Sequence, residues 1–101
     1  MSSEDKLEEQ IVAKGLNAPR LTPDSIDSKI RDVYWHVVPN STTTLCSILL
    51  ENGFRVNGES AAVSLENFDE DIGKQVAYEN ARTKIWALEG YLLKDSLSKL
   101  V

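Results

Sequence analysis

The amino-acid sequence predicts an α+β fold made of short N-terminal helices, a two- or three-stranded antiparallel β-meander and a long C-terminal helix. A run of β-branched and apolar residues at 42–50 leads into Asn52-Gly53, a pair that is typical of a hairpin turn. Apolar residues then recur with the period of a helix between about residues 69 and 97. We therefore expect an N-terminal arm at residues 1–21 and a single α+β domain at residues 22–101.

Composition places the chain among ordinary globular proteins. The 101 residues are 42% hydrophobic and 27% charged, with a formal net charge of −5. An acidic chain lacks the Lys/Arg surface that attracts phosphate backbones, so we expect no non-specific binding of nucleic acid. The single cysteine, Cys46, excludes an internal disulfide. The start is acidic and no apolar run is long enough for a bilayer, so we expect neither a signal peptide nor a membrane span.

Helix-boundary signals predict two N-terminal helices. The first is short and polar and ends at Gly15, which is a typical residue after a helix C-terminus. The second begins at Thr22 and Pro23, because threonine caps helices and proline fits the first helical position. Apolar residues at helical spacing extend this second helix over about 23–33, and residues 34–38 are predicted to be a short extended segment or loop.

The hairpin is predicted to turn through two residues, Asn52-Gly53, in a type I′ conformation. Such a turn pairs Leu49 with Val56 on the facing strand. The pair Asn57-Gly58 indicates a second turn, after which residues 60–64 form a short third strand. This arrangement is the β-meander of the predicted fold.

Apolar residues occupy both faces of the first hairpin strand. Leu45 and Leu49 lie on one face, whereas Cys46, Ile48 and Leu50 lie on the other. A strand with one solvated face alternates apolar with polar residues, so we expect both faces to be covered. The long helix covers one face, and either the N-terminal helices or a second copy covers the other. We therefore expect a homo-oligomer.

The sequence contains no residue set that is typical of a catalytic or metal site. The only histidine, His36, stands between apolar neighbours, and the acidic residues 69–71 are typical of a helix start. Glu59 and Glu89 form an acid–base pair only if the fold brings them together, and a hydrolase built on them is a minor hypothesis. We therefore expect that the protein is not an enzyme and that it has no catalytic residue, metal or cofactor.

A loose ligand site is predicted around the hairpin. Arg55, Asn57 and Ser60 supply a cation, an amide and a hydroxyl, and nearby aromatic rings suit stacking on bases. The alternative is that Trp86 is a core residue and Arg55 a solvated strand charge. The candidate ligand-binding residues are Trp35, Arg55, Asn57, Glu59, Ser60, Trp86, Glu89 and Tyr91.

Two stretches, Asn52 to Ala61 and Lys84 to Leu93, with Asn67-Phe68-Asp69 between them, resemble the signature of a known family. This is the small tailed-phage protein family typified by gene product 49 of coliphage N4 and gene 66 of Shigella phage Sf6. The resemblance covers roughly residues 22–98. It implies an accessory protein of phages and prophages that acts in the cytoplasm of the host bacterium, and it carries no assigned catalytic residue.

Two functions remain open for such a protein. The first is to counter host antiphage defence by binding and sequestering a small cyclic nucleotide signal as an oligomer, which requires affinity and copies but no active site. The alternative is a phage protein that binds and inhibits, or assembles with, a host or phage protein through its acidic or apolar helix surfaces.

Overall fold

The computed structural model describes residues 3–100, and it has the predicted α+β fold. The three strands form one antiparallel sheet in the order β1-β2-β3, followed by the long C-terminal helix. No helix in this described range combines the length and the apolarity needed to span a bilayer. The elements are α1 (Ser3–Ala13), α2 (Pro23–Asp27), β1 (Ile30–Val37), β2 (Thr43–Leu50), β3 (Arg55–Ala61), a 3-10 turn (Leu65–Asn67) and α3 (Glu70–Ser98).

The helix predicted over 23–33 is wrong beyond Asp27. Its start is as expected, since Thr22 and Ser25 form a reciprocal capping box. Ile30 and Val33 have helical spacing, yet both lie on β1, where Val33 pairs with Ile48 of β2. β-branched and aromatic residues pack well on a pleated sheet, so pairing with β2 prevails over the local helical pattern. Of the two alternatives for residues 34–38, the extended segment is confirmed, because β1 continues to Val37.

The hairpin register differs from the prediction by one residue, because Val56 pairs with Ile48 and not with its neighbour. The Leu50 amide donates to the Phe54 carbonyl at 2.8 Å, so the loop comprises the three residues between them. Gly53 has a φ of +92°, but Asn52 does not have the positive φ that a type I′ turn requires at both central residues. A glycine closing a three-residue loop replaces the predicted two-residue turn.

The second turn predicted at Asn57-Gly58 is also wrong, as is the strand at 60–64. β3 runs without interruption from Arg55 to Ala61, and the third strand of the sheet is β1. A Cβ atom at Gly58 would overlap the backbone of Ala77 and Ala81 on α3. This glycine therefore permits close approach of helix and sheet and does not form a turn.

The inner face of the sheet packs on α3, whereas its outer face is open in the described chain. On the outer face, Tyr34 is 59% exposed and Leu45 is 40% exposed, and neither α1 nor α2 covers them. The expectation that both faces are covered is therefore met by the chain itself only on the inner face. The buried core consists of Ile26, Cys46, Ile48, Leu50, Val56, Ala77, Ala81 and Ile85.

α1 has no buried residue and is attached to the domain by a polar cluster around Arg82. The Glu4 carboxylate accepts from Arg82 Nε at 2.7 Å and Nη2 at 2.9 Å, and from Trp86 Nε1 at 3.1 Å. Asp27 also pairs with Arg82 at 2.7 Å. Burial alone would lower the pKa of Arg82, but hydrogen bonds to Glu4, Asp27 and Tyr78 raise it above its usual value.

Candidate functional site

The hairpin loop and the C-terminal half of α3 enclose a groove of about 860 Å³, here called the tip groove. Four of the predicted site residues line it: Arg55 and Asn57 from β3, and Glu89 and Tyr91 from α3. Strand pairing holds the first two beside the helix, and the helical period brings the other two to the same side. The remaining lining residues are Lys29, Leu50, Glu51, Asn52, Phe54, Val56, Lys84, Ala87, Leu88 and Leu92.

Three cations and two carboxylates line the tip groove. Lys29 Nζ lies 3.3 Å from Glu51 Oε1 and 3.6 Å from Glu89 Oε1, so both carboxylates share one cation. The hydrogen bond to Glu51 and the charges of both partners raise the pKa of Lys29 above its usual value. The carboxylates of Glu51 and Glu89 are thus both already paired with Lys29.

Arg55 and Lys84 make no ion pair with a carboxylate among residues 3–100. Arg55 Nη1 donates to the Ser47 hydroxyl at 3.1 Å, and Lys84 Nζ donates to the Asn57 carbonyl. Because both partners are uncharged, they do not compensate the positive charges of Arg55 and Lys84. The tip groove is therefore a locally cationic place on a chain whose net charge is −5.

Two aromatic rings stand open at this groove. The Tyr91 side chain is 74% exposed and Phe54 is 57% exposed. Both are lining residues, so a planar ligand entering the groove meets apolar ring surface as well as cations.

The other four predicted site residues do not line the tip groove, and for three of them the fold uses the polar group elsewhere. Trp35 Nε1 donates to the Lys74 carbonyl at 3.0 Å, and Ser60 Oγ donates to the Gly73 carbonyl at 2.7 Å, so both hold the first half of α3. Trp86 Nε1 donates to the carboxylate of α1. The structure separates these three from Arg55 and Tyr91.

The eighth predicted residue, Glu59, lines a second groove of about 760 Å³ on the outer face of the sheet, here called the sheet groove. Its walls include Tyr34 and His36 of β1, and Asn57 is common to both grooves. Glu89 is in the tip groove only. The carboxylate pair of the hydrolase hypothesis is thus divided between two grooves.

Sequence reasoning missed Lys84, Lys29 and Phe54. Lys84 was detectable, since it precedes Leu88 and Tyr91 by four and seven residues and so shares their side of α3. Lys29 was hidden because the sequence pattern placed it inside a helix. It instead stands just before β1 and reaches the hairpin loop.

No group of three or more His, Cys, Asp or Glu side chains among residues 3–100 is arranged to hold a metal ion. Cys46 is buried in the core, and burial raises the pKa of its thiol above the usual value. A thiol that is buried and protonated is a poor nucleophile and a poor ligand.

Together, the meander, the packed C-terminal helix and the cationic groove define a small α+β protein with an open groove at one end of its sheet. Residues 21–97 match the model described as the Phage protein (N4 Gp49/phage Sf6 gene 66) family. The chain belongs to this family, which confirms the resemblance of its two signature stretches. α1 lies outside the matched segment, whereas the whole sheet and nearly all of α3 lie within it. No curated protein and no solved structure matches the chain.

Proposed function

We propose that this phage protein is a non-enzymatic, oligomeric binding protein that counters host antiphage defence by sequestering a small cyclic nucleotide in the tip groove. The observation that supports this proposal is the uncompensated charge of Arg55 and Lys84 beside the open ring of Tyr91. A net charge of −5 opposes nucleotide binding unless basic residues are concentrated locally, as they are in this groove.

Each part of such a ligand has a matching group. Arg55 offers guanidinium hydrogen bonds to a phosphate, and Lys84 adds a second charge. Tyr91 and Phe54 offer ring faces on which a base stacks, worth about 1–3 kcal/mol per base. Asn57 lines the same wall and carries an amide for a base edge. The groove's volume of about 860 Å³ falls within the range of small-ligand sites.

Calorimetry with a panel of cyclic dinucleotides and trinucleotides tests the proposal. We expect at least one member to bind to the native chain, and Arg55→Ala to weaken that binding at least about tenfold, since a charge-assisted hydrogen bond contributes about 1.5–3 kcal/mol. Lys6→Ala is the matched control, because it removes an exposed cation on α1, away from the groove. Absence of binding at high micromolar concentrations across the panel would sink the proposal.

A second candidate function is binding to a host or phage protein, which the exposed apolar residues of α3 favour. Ile72 and Leu92 are 59% and 58% exposed, and Leu88 is 42% exposed. Apolar side chains of this kind are typical anchors of protein interfaces. Affinity purification from infected cells tests this alternative. A specific, stoichiometric partner would support it, whereas recovery of the bait alone would count against it.

A further inference from the structure

The two edges of the sheet are chemically different. On the β3 edge, the Asn57 and Glu59 carbonyls turn away from β2. Lys84 Nζ donates to the first, and Asn80 Nδ2 donates to the second at 2.8 Å. Side chains of α3 thus occupy the acceptors that an added strand would need. The β3 edge is blocked by the helix that packs beside it.

The β1 edge carries no such cap. The Val38 amide donates to the Thr43 carbonyl at 2.9 Å, and backbone groups alternate in direction along an antiparallel strand. Hence Tyr34 and His36 turn their backbone groups towards β2, whereas Val33, Trp35 and Val37 turn theirs outward. No residue among 3–100 hydrogen-bonds these outward backbone groups. α3 packs mainly on β2 and β3, so β1 extends beyond it.

We propose that β1 pairs with β1 of a second copy in antiparallel orientation, about a two-fold axis at Tyr34, to form one continuous six-stranded sheet. This register sets Asp32 opposite the partner's His36, and the symmetry repeats the pair. It also sets Val33 opposite the partner's Trp35 on the helix side of the sheet. Moving the axis to either neighbouring residue separates Asp32 from His36. The strand is therefore self-complementary in one register.

The dimer joins the outer faces of the two sheets. Tyr34 and His36, which line the sheet groove, then lie at the seam beside the partner's Tyr34 and the partner's His36. Each sheet groove is completed by side chains of the other copy. No residue of the seam, Asp32 to His36, lines the tip groove, so this pairing stands or falls independently of nucleotide binding.

Amide hydrogen exchange of the native chain without ligand, measured by NMR at increasing protein concentration, tests the pairing. We expect the Val33 and Trp35 amides to exchange at least about tenfold more slowly as a dimer forms, because pairing gives them acceptors. The Asn57 and Glu59 amides on the blocked edge are the control and keep their rates. A monomer of about 11.3 kDa by light scattering at every concentration would overturn the proposal, as would a dimer with unchanged Val33 and Trp35 exchange.

A charge exchange tests the register. His36→Asp places like charges opposite Asp32 at two symmetric points, and we expect the dimer dissociation constant to rise about tenfold. Adding Asp32→Lys places opposite charges at these two points and should return the constant at least to the native value. Ala61→Asp introduces the same charge on the outer face at the blocked edge and should change nothing. Equal effects of His36→Asp and Ala61→Asp, or no recovery in the double variant, would refute this register.

Discussion

Gly58 of β3 and Ala81 of α3 fix the distance between sheet and helix. The space for a Cβ atom at Gly58 is already filled by the Ala81 nitrogen and by the Ala77 carbonyl oxygen. Both obstacles are backbone atoms, which cannot rotate away as a side chain can. The helix therefore packs on β3 only because this strand position has no side chain.

Gly58→Ala should destabilise the fold by about 3 kcal/mol, near the upper end of the usual range for overpacking, because the helix or the strand must shift as a whole. Chemical denaturation of the native chain and the variant measures this difference. A loss below about 0.5 kcal/mol would show that the helix has room to move.

Gly90→Ala should have the opposite effect and serves as the matched control. A Cβ atom there would meet only Leu21 Cδ1 at 3.8 Å, an ordinary contact, so no described part of the chain needs a glycine at this position for close packing. Alanine is favoured over glycine inside a helix by about 1 kcal/mol. The denaturation midpoint should rise, and a fall would indicate that another molecule uses the space.

Thr44→Val should stabilise the protein by about 1 kcal/mol. The Thr44 hydroxyl is buried and has no hydrogen-bond partner among the described residues, and an unpaired buried polar group costs free energy. The control is Thr42→Val, since Thr42 Oγ1 donates to the Ala62 carbonyl at 2.5 Å and that bond would be lost. Thermal denaturation should therefore move in opposite directions for the two variants. Equal shifts of the melting temperature in the two variants would contradict the conclusion that the Thr44 hydroxyl is unpaired.

The contact between α1 and the domain should weaken in acid. Hydrogen bonds from Arg82, and to a lesser extent from Trp86, hold the pKa of Glu4 below its usual 4.5, against the opposing effect of burial. A lowered pKa in the folded state means that this stabilisation is complete above pH 4.5 and is lost as pH falls through the lower value.

The indole N–H resonance of Trp86 measures this change. It should move as Glu4 is protonated, and the movement should vanish in Glu4→Gln. The Trp35 indole is an internal control, since it donates to a backbone carbonyl that does not titrate. Parallel movement of both indoles would instead indicate general acid unfolding.

Local signals predicted the elements that have clear boundaries. Asp69 caps α3 by accepting from the Ile72 amide at 2.9 Å, and α3 ends at Ser98, close to the predicted end near Leu97. β1 was not predictable, because the spacing of Ile30 and Val33 fits a helix as well as one face of a strand with a bulge. The hairpin register was wrong because turn length depends on backbone angles that the Asn-Gly pair alone does not determine.

The candidate site was predictable only in part. The residue types of Arg55 and Tyr91 indicate a ligand site, and both residues line the tip groove. Arg55 and Tyr91 line the same groove because of the way β3 packs across α3. The close contact of Gly58 with Ala81 sets this packing, and no local sequence pattern encodes it. The ring of Trp86 also suits a ligand site, but its hydrogen bond to Glu4 of α1 connects positions 82 residues apart and is not visible in any local pattern.

The capped carbonyls of Asn57 and Glu59 also limit how far copies of this protein can assemble. A sheet with two free edges has two places for strand addition, so pairing can continue and produce filaments. With Lys84 and Asn80 closing one edge, addition at β1 consumes the remaining free edge of each copy. In the proposed dimer, growth therefore stops after a single pairing step and leaves no free edge from which a filament could extend.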